Sequence, residues 1–129
     1  MQEDLGKLVL RVTVGGLLLF HGMHKLLTGI AGIKAMVVAH GMPDALAYGV
    51  YLGEIVGPIL VLLGVYARIG AGLIVINMIL ALVLSGANLM GLNAMGGYQI
   101  ELEAFYLLGA LSVALLGPGR LSLGGGRWN

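Results

Sequence analysis

The sequence predicts an all-α integral membrane protein: a four-transmembrane-helix bundle with an interfacial amphipathic helix between helices 1 and 2. Two compositional facts predict this class. Of the 129 residues, 59% are hydrophobic and only 10% are Asp, Glu, Lys or Arg, whereas charged residues make up about 25% of a typical soluble domain. A water-facing surface cannot be built from so few charges. The length fits one domain, which we expect to span residues 1–129.

Four stretches of the chain are long and apolar enough to cross a bilayer, whose core of about 30 Å requires about 20 mainly apolar residues in a helix. They are residues 8–27, 46–66, 69–87 and 98–117. Such continuous runs lack the alternation of a barrel strand, and lipid leaves no backbone group unpaired, so helices are the expected form. The short connection Tyr66-Ala67-Arg68 predicts that spans two and three form a tight antiparallel hairpin.

The segment between spans one and two, residues 28–45, is too polar to cross the membrane. Its apolar residues recur at helical spacing, at Ile30, Ile33, Met36 and Val37. Because Lys34 lies off that face, the pattern is typical of an amphipathic helix in the membrane interface. We expect this helix to end near Gly41 and Pro43, since glycine caps helices and proline cannot continue them.

The distribution of charge predicts the orientation and excludes several functions. Five basic residues fall on the side of the two termini, at Lys7, Arg11, Arg68, Arg120 and Arg127, against Lys25 and Lys34 on the other side. This excess predicts that both termini are cytoplasmic.

The first residues lack the cationic region of a secretory signal, so we expect span one to be retained. A net charge of +1 with scattered basic residues argues against nucleic acid as a partner. The chain has no cysteine, so redox chemistry would depend on a cofactor or a partner.

Ionisable side chains inside the predicted spans are costly, about 2.5 to 3.5 kcal/mol each, and need a partner or a function. Glu54 lies about 3 Å outward of the middle of span two, and His21 about 5 Å outward of the middle of span one, at 1.5 Å of rise per residue. His24 and Lys25 follow on neighbouring parts of the same helix face. These side chains predict a polar layer in the outer leaflet, in which His21 pairs with Glu54 and Lys25 is the second choice.

Two interpretations of this layer stay open. One is a structural ion pair that fixes the register of the helices. The other is a small pocket whose carboxylate and imidazole handle protons, as a quinone site or a proton relay requires. Span four would contribute Glu101 or Glu103 from the same side, and Asn77 would either contact a ligand or link two helices. No metal is predicted, because the spacing of His21 and His24 differs from the zinc-binding His-Glu-x-x-His pattern.

Several residues have expected structural roles. Gly49, Gly53 and Gly57 place a small residue at every fourth position of span two, which favours close helix packing. Pro58 removes the hydrogen bond to the carbonyl of Glu54, so a bend is expected there. Arg11, about two turns inside the cytoplasmic face, is expected to extend its charge to the interface and so to fix orientation.

A set of short motifs runs nearly from end to end of the chain. In order they are Arg11, Phe20-His21-Gly22-Met23-His24-Lys25-Leu26, Gly53-Glu54-Ile55-Val56-Gly57, Leu63-Gly64-Val65-Tyr66-Ala67-Arg68, Glu101 through Tyr106, and Leu116-Gly117-Pro118-Gly119-Arg120-Leu121-Ser122-Leu123. The ordered set resembles the DoxX family of small bacterial and archaeal membrane proteins. The family's characteristic residues would fall on Glu54, Arg68, Glu101 and Gly117 to Arg120. Two departures are Pro58, where the family usually has a small residue, and Gly124, where an acidic residue is usual.

The resemblance implies a multi-pass protein of the bacterial inner (cytoplasmic) membrane. It links some members to quinone-coupled oxidation, such as thiosulfate oxidation, and others to complexes that resist oxidative stress. We therefore expect the membrane subunit of such a system, with a quinone as the candidate cofactor. The lipid bilayer, a redox partner protein and a second copy of the chain are its expected partners. The alternatives are a membrane anchor or assembly partner without chemistry, and a small-solute transporter, although inverted repeats are not evident.

The residue roles expected on this hypothesis fall into three groups. The catalytic residues would be His21, Glu54 and Glu101. The ligand contacts would be His24, Lys25, Asn77 and Tyr106. The structural residues would be Arg11, Gly53, Gly57, Pro58, Arg68 and Arg120.

Overall fold

The computed structural model describes residues 2–85 and 101–124. These residues form helices and contain no strand. The helices are α1 (Gln2–Thr28), α2 (Ala31–Ala39), α3 (Asp44–Leu63), α4 (Ala67–Ser85) and α5 (Glu101–Leu116). The all-α class predicted from the sequence is confirmed.

Three helices are long and apolar enough to cross a membrane: α1, α3, and α4 over Ala67–Leu84. Helix α5 is described over 16 residues, and the predicted start of the fourth span at Tyr98 lies outside the described residues. Large apolar side chains cover much of the outer surface, for example Phe20, Leu27 and Phe105. In water such a surface would be unfavourable, whereas lipid tails are an apolar solvent for it. The membrane class is therefore supported, and the fourth span stays a prediction.

The connection between α3 and α4 is a tight turn that lies slightly earlier than the sequence predicted. Helix α3 ends at Leu63, and Gly64 follows with φ of 73°, a left-handed conformation that favours glycine. Tyr66 also has a positive φ, 49°. Arg68 therefore belongs to the first turn of α4 rather than to the connection.

Helix α2 ends before Gly41, where φ is 77°, and Pro43 follows. Val37 of this helix packs in a small buried cluster with Ile30 and Ala47. Lys34 donates a hydrogen bond of 2.6 Å to the Tyr48 hydroxyl and lies 4.5 Å from the centroid of its ring. That hydrogen bond raises the pKa of Lys34. A helix is thus present where one was predicted, and its interfacial position stays a prediction.

The core lies where α1, α3, α4 and α5 meet, around Leu18, Val61, Ile74 and Val113. Two helices contain a widened, π-helical turn at this level: Val12–Gly16 in α1 and Leu52–Val56 in α3. In α3 the N–H of Gly57 donates to the carbonyl of Leu52, and Pro58 follows directly. A widened turn that contains Glu54 therefore precedes this proline, and the bend predicted at Pro58 stays a prediction. Such turns occur frequently at functional sites.

Candidate polar site within the helical bundle

Close backbone contacts hold α3 between α1 and α4 at the level of Glu54. A Cβ atom added to Gly22 of α1 would lie 2.1 Å from the Glu54 carbonyl oxygen. A Cβ atom added to Gly53 of α3 would lie 2.2 Å from the Asn77 Cβ on α4. Both helices can therefore approach α3 closely only because these positions lack side chains. This packing brings the side chains of three helices within reach of one carboxylate.

The predicted glycine stripe is only partly used. Gly57 packs against α4, where an added Cβ atom would lie 2.9 Å from the Gly70 carbonyl oxygen. Gly49 is exposed and has no atom within 4 Å of such a Cβ. Gly22 was not among the structural residues predicted from the sequence. It could have been found there as a small residue next to the ionisable His21 inside span one.

Glu54 is the centre of the polar cluster. Its side chain is only 4% exposed, and its Oε2 lies 2.5 Å from the Nζ atom of Lys25. The Asn77 Nδ2 donates to the same oxygen at 3.1 Å. The prediction that His21 pairs with Glu54 is therefore wrong, and the second choice, Lys25, forms the pair. The longer stem of lysine, which starts one helical turn further along α1, reaches back to the carboxylate.

His21 contacts an aromatic ring instead. Its imidazole packs edge to face against Tyr106 of α5, with ring centroids 5.8 Å apart and an interplanar angle of 80°. Tyr106 is buried, whereas His21 is exposed on its outer side. The contact joins α1 to α5 next to the Lys25–Glu54 pair.

A small cavity of about 110 Å³ lies between the ion pair and this aromatic contact. Its polar lining residues are His21, Lys25, Glu54, Glu103 and Tyr106, and the rest of its wall is mostly apolar. Both hydrogen bonds to the Glu54 carboxylate use Oε2. Among the residues that the structure describes, none donates to Oε1. The cavity therefore combines an available carboxylate oxygen with ammonium, imidazole and phenol groups.

Three predicted site residues do not line this cavity: Glu101, His24 and Asn77, the last of which reaches it only through its hydrogen bond to Glu54 Oε2. Glu101 lines a separate apolar groove of about 460 Å³ with Phe105 and Leu108. The acid that reaches the cavity is Glu103, because two residues along a helix are separated by about 200° around its axis. His24 is exposed, does not line the cavity, and accepts a hydrogen bond from Thr28 Oγ1 through its carbonyl at 2.8 Å.

The arginines lie at the opposite end of the bundle. Arg11 is 1% exposed and donates from Nη2 to the Leu121 carbonyl at 2.5 Å, so the prediction that it extends to the interface is wrong. Arg68 donates from Nη1 to the Ala114 carbonyl at 2.9 Å, near the C-terminal end of α5, where a cation complements the helix dipole. The backbone N–H of Arg120 donates to Asp4 Oδ1 at 3.0 Å.

No group of three or more His, Asp or Glu residues that could hold a metal ion occurs in residues 2–85 and 101–124.

Apolar helices around a buried Lys25–Glu54 pair define a helical membrane protein with a polar site inside its bundle. The chain belongs to the DoxX family, whose model matches residues 6–87. This range includes Lys25, Glu54 and Asn77. A Bacillus subtilis (strain 168) protein named "Putative oxidoreductase CatD" is 31% identical over 121 residues, which cover 93% of this chain and 85% of that protein. No solved structure gives a significant match.

Proposed function

We propose that this protein is the membrane subunit of a quinone-coupled redox or oxidative-stress system and that a quinone ring binds in the cavity beside Glu54. The observation that carries the proposal is the available Glu54 Oε1 in a cavity whose lining combines hydrogen-bond donors with apolar side chains. Ligand sites between helices commonly combine an apolar wall with a few such polar groups. The name of the Bacillus subtilis relative supports an oxidoreductase role.

The cavity residues have the chemistry that this role needs. The Tyr106 hydroxyl and the Lys25 ammonium can donate hydrogen bonds to a quinone oxygen. Glu54 Oε1 can accept a hydrogen bond, and then a proton, from a quinol hydroxyl. His21, at the rim, can exchange that proton with its surroundings. Because the sequence has no cysteine, electrons would enter or leave through a partner protein.

The cavity is open at its rim and can enclose one edge of a ring. A cavity of about 150 Å³ in another protein is known to hold benzene, whereas the cavity beside Glu54 measures about 110 Å³, so a quinone ring would extend past the rim. Its rim includes the exposed residues His21 on α1 and Leu102 on α5. A ring could therefore enter between these helices while its apolar tail stays in the membrane.

The alternative of a membrane anchor without chemistry loses part of its support. In that alternative the glycine stripe and the amphipathic segment pack against a partner protein, but Gly53 and Gly57 are covered by α4 of the same chain. A redox partner protein or a second copy of the chain would then have to use another surface.

A binding titration with both redox forms of one ligand tests the proposal. The protein in lipid nanodiscs would be titrated with a decyl-benzoquinone and, separately, with its quinol, and ligand binding measured by equilibrium dialysis. Glu54→Gln should weaken quinol binding by about 10- to 100-fold, because a hydrogen bond to a charged group contributes about 1.5 to 3 kcal/mol. Quinone binding should change much less, because a quinone has no hydroxyl to donate.

The matched control is Glu101→Gln, which removes a carboxylate from the other face of α5 and should leave both affinities unchanged. Failure of the wild-type protein to bind either form, or equal effects of the two substitutions, would refute the proposal.

A further inference from the structure

Arg11 is a buried cation without a counter-charge among the residues that the structure describes. It lies 14 residues before Lys25 on α1, which places it about 21 Å from that residue along the helix axis. Its Nη2 atom donates a hydrogen bond to the Leu121 carbonyl. The Nε and Nη1 atoms are buried, and within residues 2–85 and 101–124 they have no hydrogen-bond partner and no carboxylate forms an ion pair with Arg11.

A buried guanidinium with unpaired N–H groups favours the binding of an anion. Burying a charge is unfavourable unless it is paired and hydrogen-bonded. The guanidinium group presents its N–H donors in a planar fork that matches two oxygens of a phosphate. In Arg11 two of the three nitrogens of that fork are unused. A carbonyl or a water molecule could supply an acceptor, but neither would supply negative charge.

The surroundings of Arg11 also favour an anion. Lys7 lies one turn earlier on the same face of α1, and Gly119 lies against its side chain. The nearby acid, Asp4, already accepts a hydrogen bond from the Arg120 N–H. Basic side chains therefore outnumber acidic ones at this end of the bundle.

The cover over Arg11 is a non-helical segment, residues 117–124, which we term the C-terminal strap. Gly117 and Gly119 have φ of 77° and 80°. The strap is held by N–H groups of Leu123 and Gly124, which donate to carbonyls at the end of α3 at 3.0 and 3.3 Å. Ser122 lies beside the Nη1 atom of Arg11, close to Gly64. Although the strap is hydrogen-bonded to α1 and α3, it is a short non-helical segment outside the helical core, and such segments can open at lower free energy than the helices beneath them.

We propose that Arg11, assisted by Lys7, binds a phosphate group and that the C-terminal strap closes over the bound group. The phosphate could belong to the headgroup of an anionic lipid or to a free phosphate. Both sources offer the same tetrahedral oxyanion to the guanidinium fork. The site is distinct from the cavity beside Glu54, and its existence does not depend on quinone binding.

Thermal unfolding of delipidated protein in a neutral detergent tests the proposal, since a ligand that binds only the folded state raises the unfolding temperature. One arm adds sodium phosphate, with sodium chloride at equal ionic strength as its reference. The other arm adds phosphatidylglycerol, with phosphatidylcholine as its reference. We expect at least one arm to raise the Tm of the wild-type protein by a few degrees. A response to phosphatidylglycerol alone would identify a lipid headgroup, and a response to phosphate alone a free anion.

The variants separate a specific site from general attraction to a basic surface. Arg11→Gln should abolish the increase in Tm. Arg120→Gln should retain it, because it removes an exposed charge from the same end and keeps the backbone N–H that contacts Asp4. Arg11→Lys keeps the charge but not the fork, so its response should be weaker than that of the wild type.

Absence of any increase in the wild-type protein would overturn the proposal, whether or not the variants fold. So would a response of Arg11→Gln equal to that of the wild type. If Arg11→Gln does not fold, Arg11→Lys replaces it. An increase in the Tm of Arg11→Lys as large as that of the wild type would then contradict phosphate binding by the guanidinium group.

Discussion

Removal of Lys25 should destabilise the bundle more than neutralisation of Glu54, although the two side chains form one ion pair. The Glu54 side chain is 4% exposed and that of Lys25 is 30% exposed. In Lys25→Met the buried carboxylate keeps only the neutral Asn77 amide as a donor. In Glu54→Gln the amide oxygen can still accept that hydrogen bond, and Lys25 can turn its ammonium group toward its exposed side.

The expected free energies follow from this asymmetry. Loss of one partner of a buried pair costs about 3 to 5 kcal/mol, and partial exposure of Lys25 reduces this to about 2 to 4 kcal/mol for Lys25→Met. Glu54→Gln weakens hydrogen bonds but leaves no buried charge without a partner. It should lower the free energy of unfolding by about 1 to 2 kcal/mol. The double variant has no charge left at this site, so it should be more stable than Lys25→Met by about 1 to 2 kcal/mol.

The assay is a double-mutant cycle on unfolding in mixed detergent micelles, followed by circular dichroism. His21→Ala combined with Glu54→Gln serves as the control pair, because His21 contacts Tyr106 rather than the carboxylate, and its effect should add to that of Glu54→Gln. The reasoning is refuted if Lys25→Met/Glu54→Gln is no more stable than Lys25→Met alone.

Three further predictions concern orientation, packing and the α2 surface. Lys34→Cys should react with an impermeant thiol reagent in intact cells and Arg127→Cys should not; the reverse pattern would invert the topology. Gly53→Ala should lower the Tm because its methyl group would overlap a side chain of α4, whereas Gly49→Ala, with open space around it, should not; equal effects would contradict the packing. Tyr48→Phe should lower the pKa of Lys34 toward its ordinary value, because the hydrogen bond that raises it is lost; an NMR titration of isotope-labelled lysine would show this, and an unchanged pKa would exclude that cause.

The pH dependence from the Lys34–Tyr48 contact has a definite sign. Because folding raises the pKa of Lys34, the folded state holds this proton more tightly than the unfolded state does. The contribution of the Lys34–Tyr48 contact to the free energy of unfolding is therefore complete below the ordinary lysine pKa. It disappears as the pH rises through the raised pKa of Lys34.

The sequence by itself determined the all-helical membrane class and approximate helix positions. It also identified Glu54 as the acid that needs a partner, because these conclusions depend on hydropathy, length and the cost of a buried charge. It placed the turn after α3 close to where Gly64 forms it, since a short break between two long apolar runs is a local signal.

Only the tertiary structure decided which side chains meet. Depth along each helix was estimated from the sequence, but rotation about each axis was not, so the residues left Glu101 and Glu103 open. The family resemblance favoured Glu101, whereas Glu103 lines the cavity. The same uncertainty made His21 the expected partner of Glu54. In the structure, Gly22 and Gly53 let three helices pack closely around the carboxylate. The rotation of these helices brings Lys25 and Asn77 to the carboxylate instead. Arg11 was expected at the lipid interface because the sequence could not show that residues 117–124 fold back over it. Pairing between distant segments depends on helix rotation and close backbone approach, and neither is encoded in local periodicity.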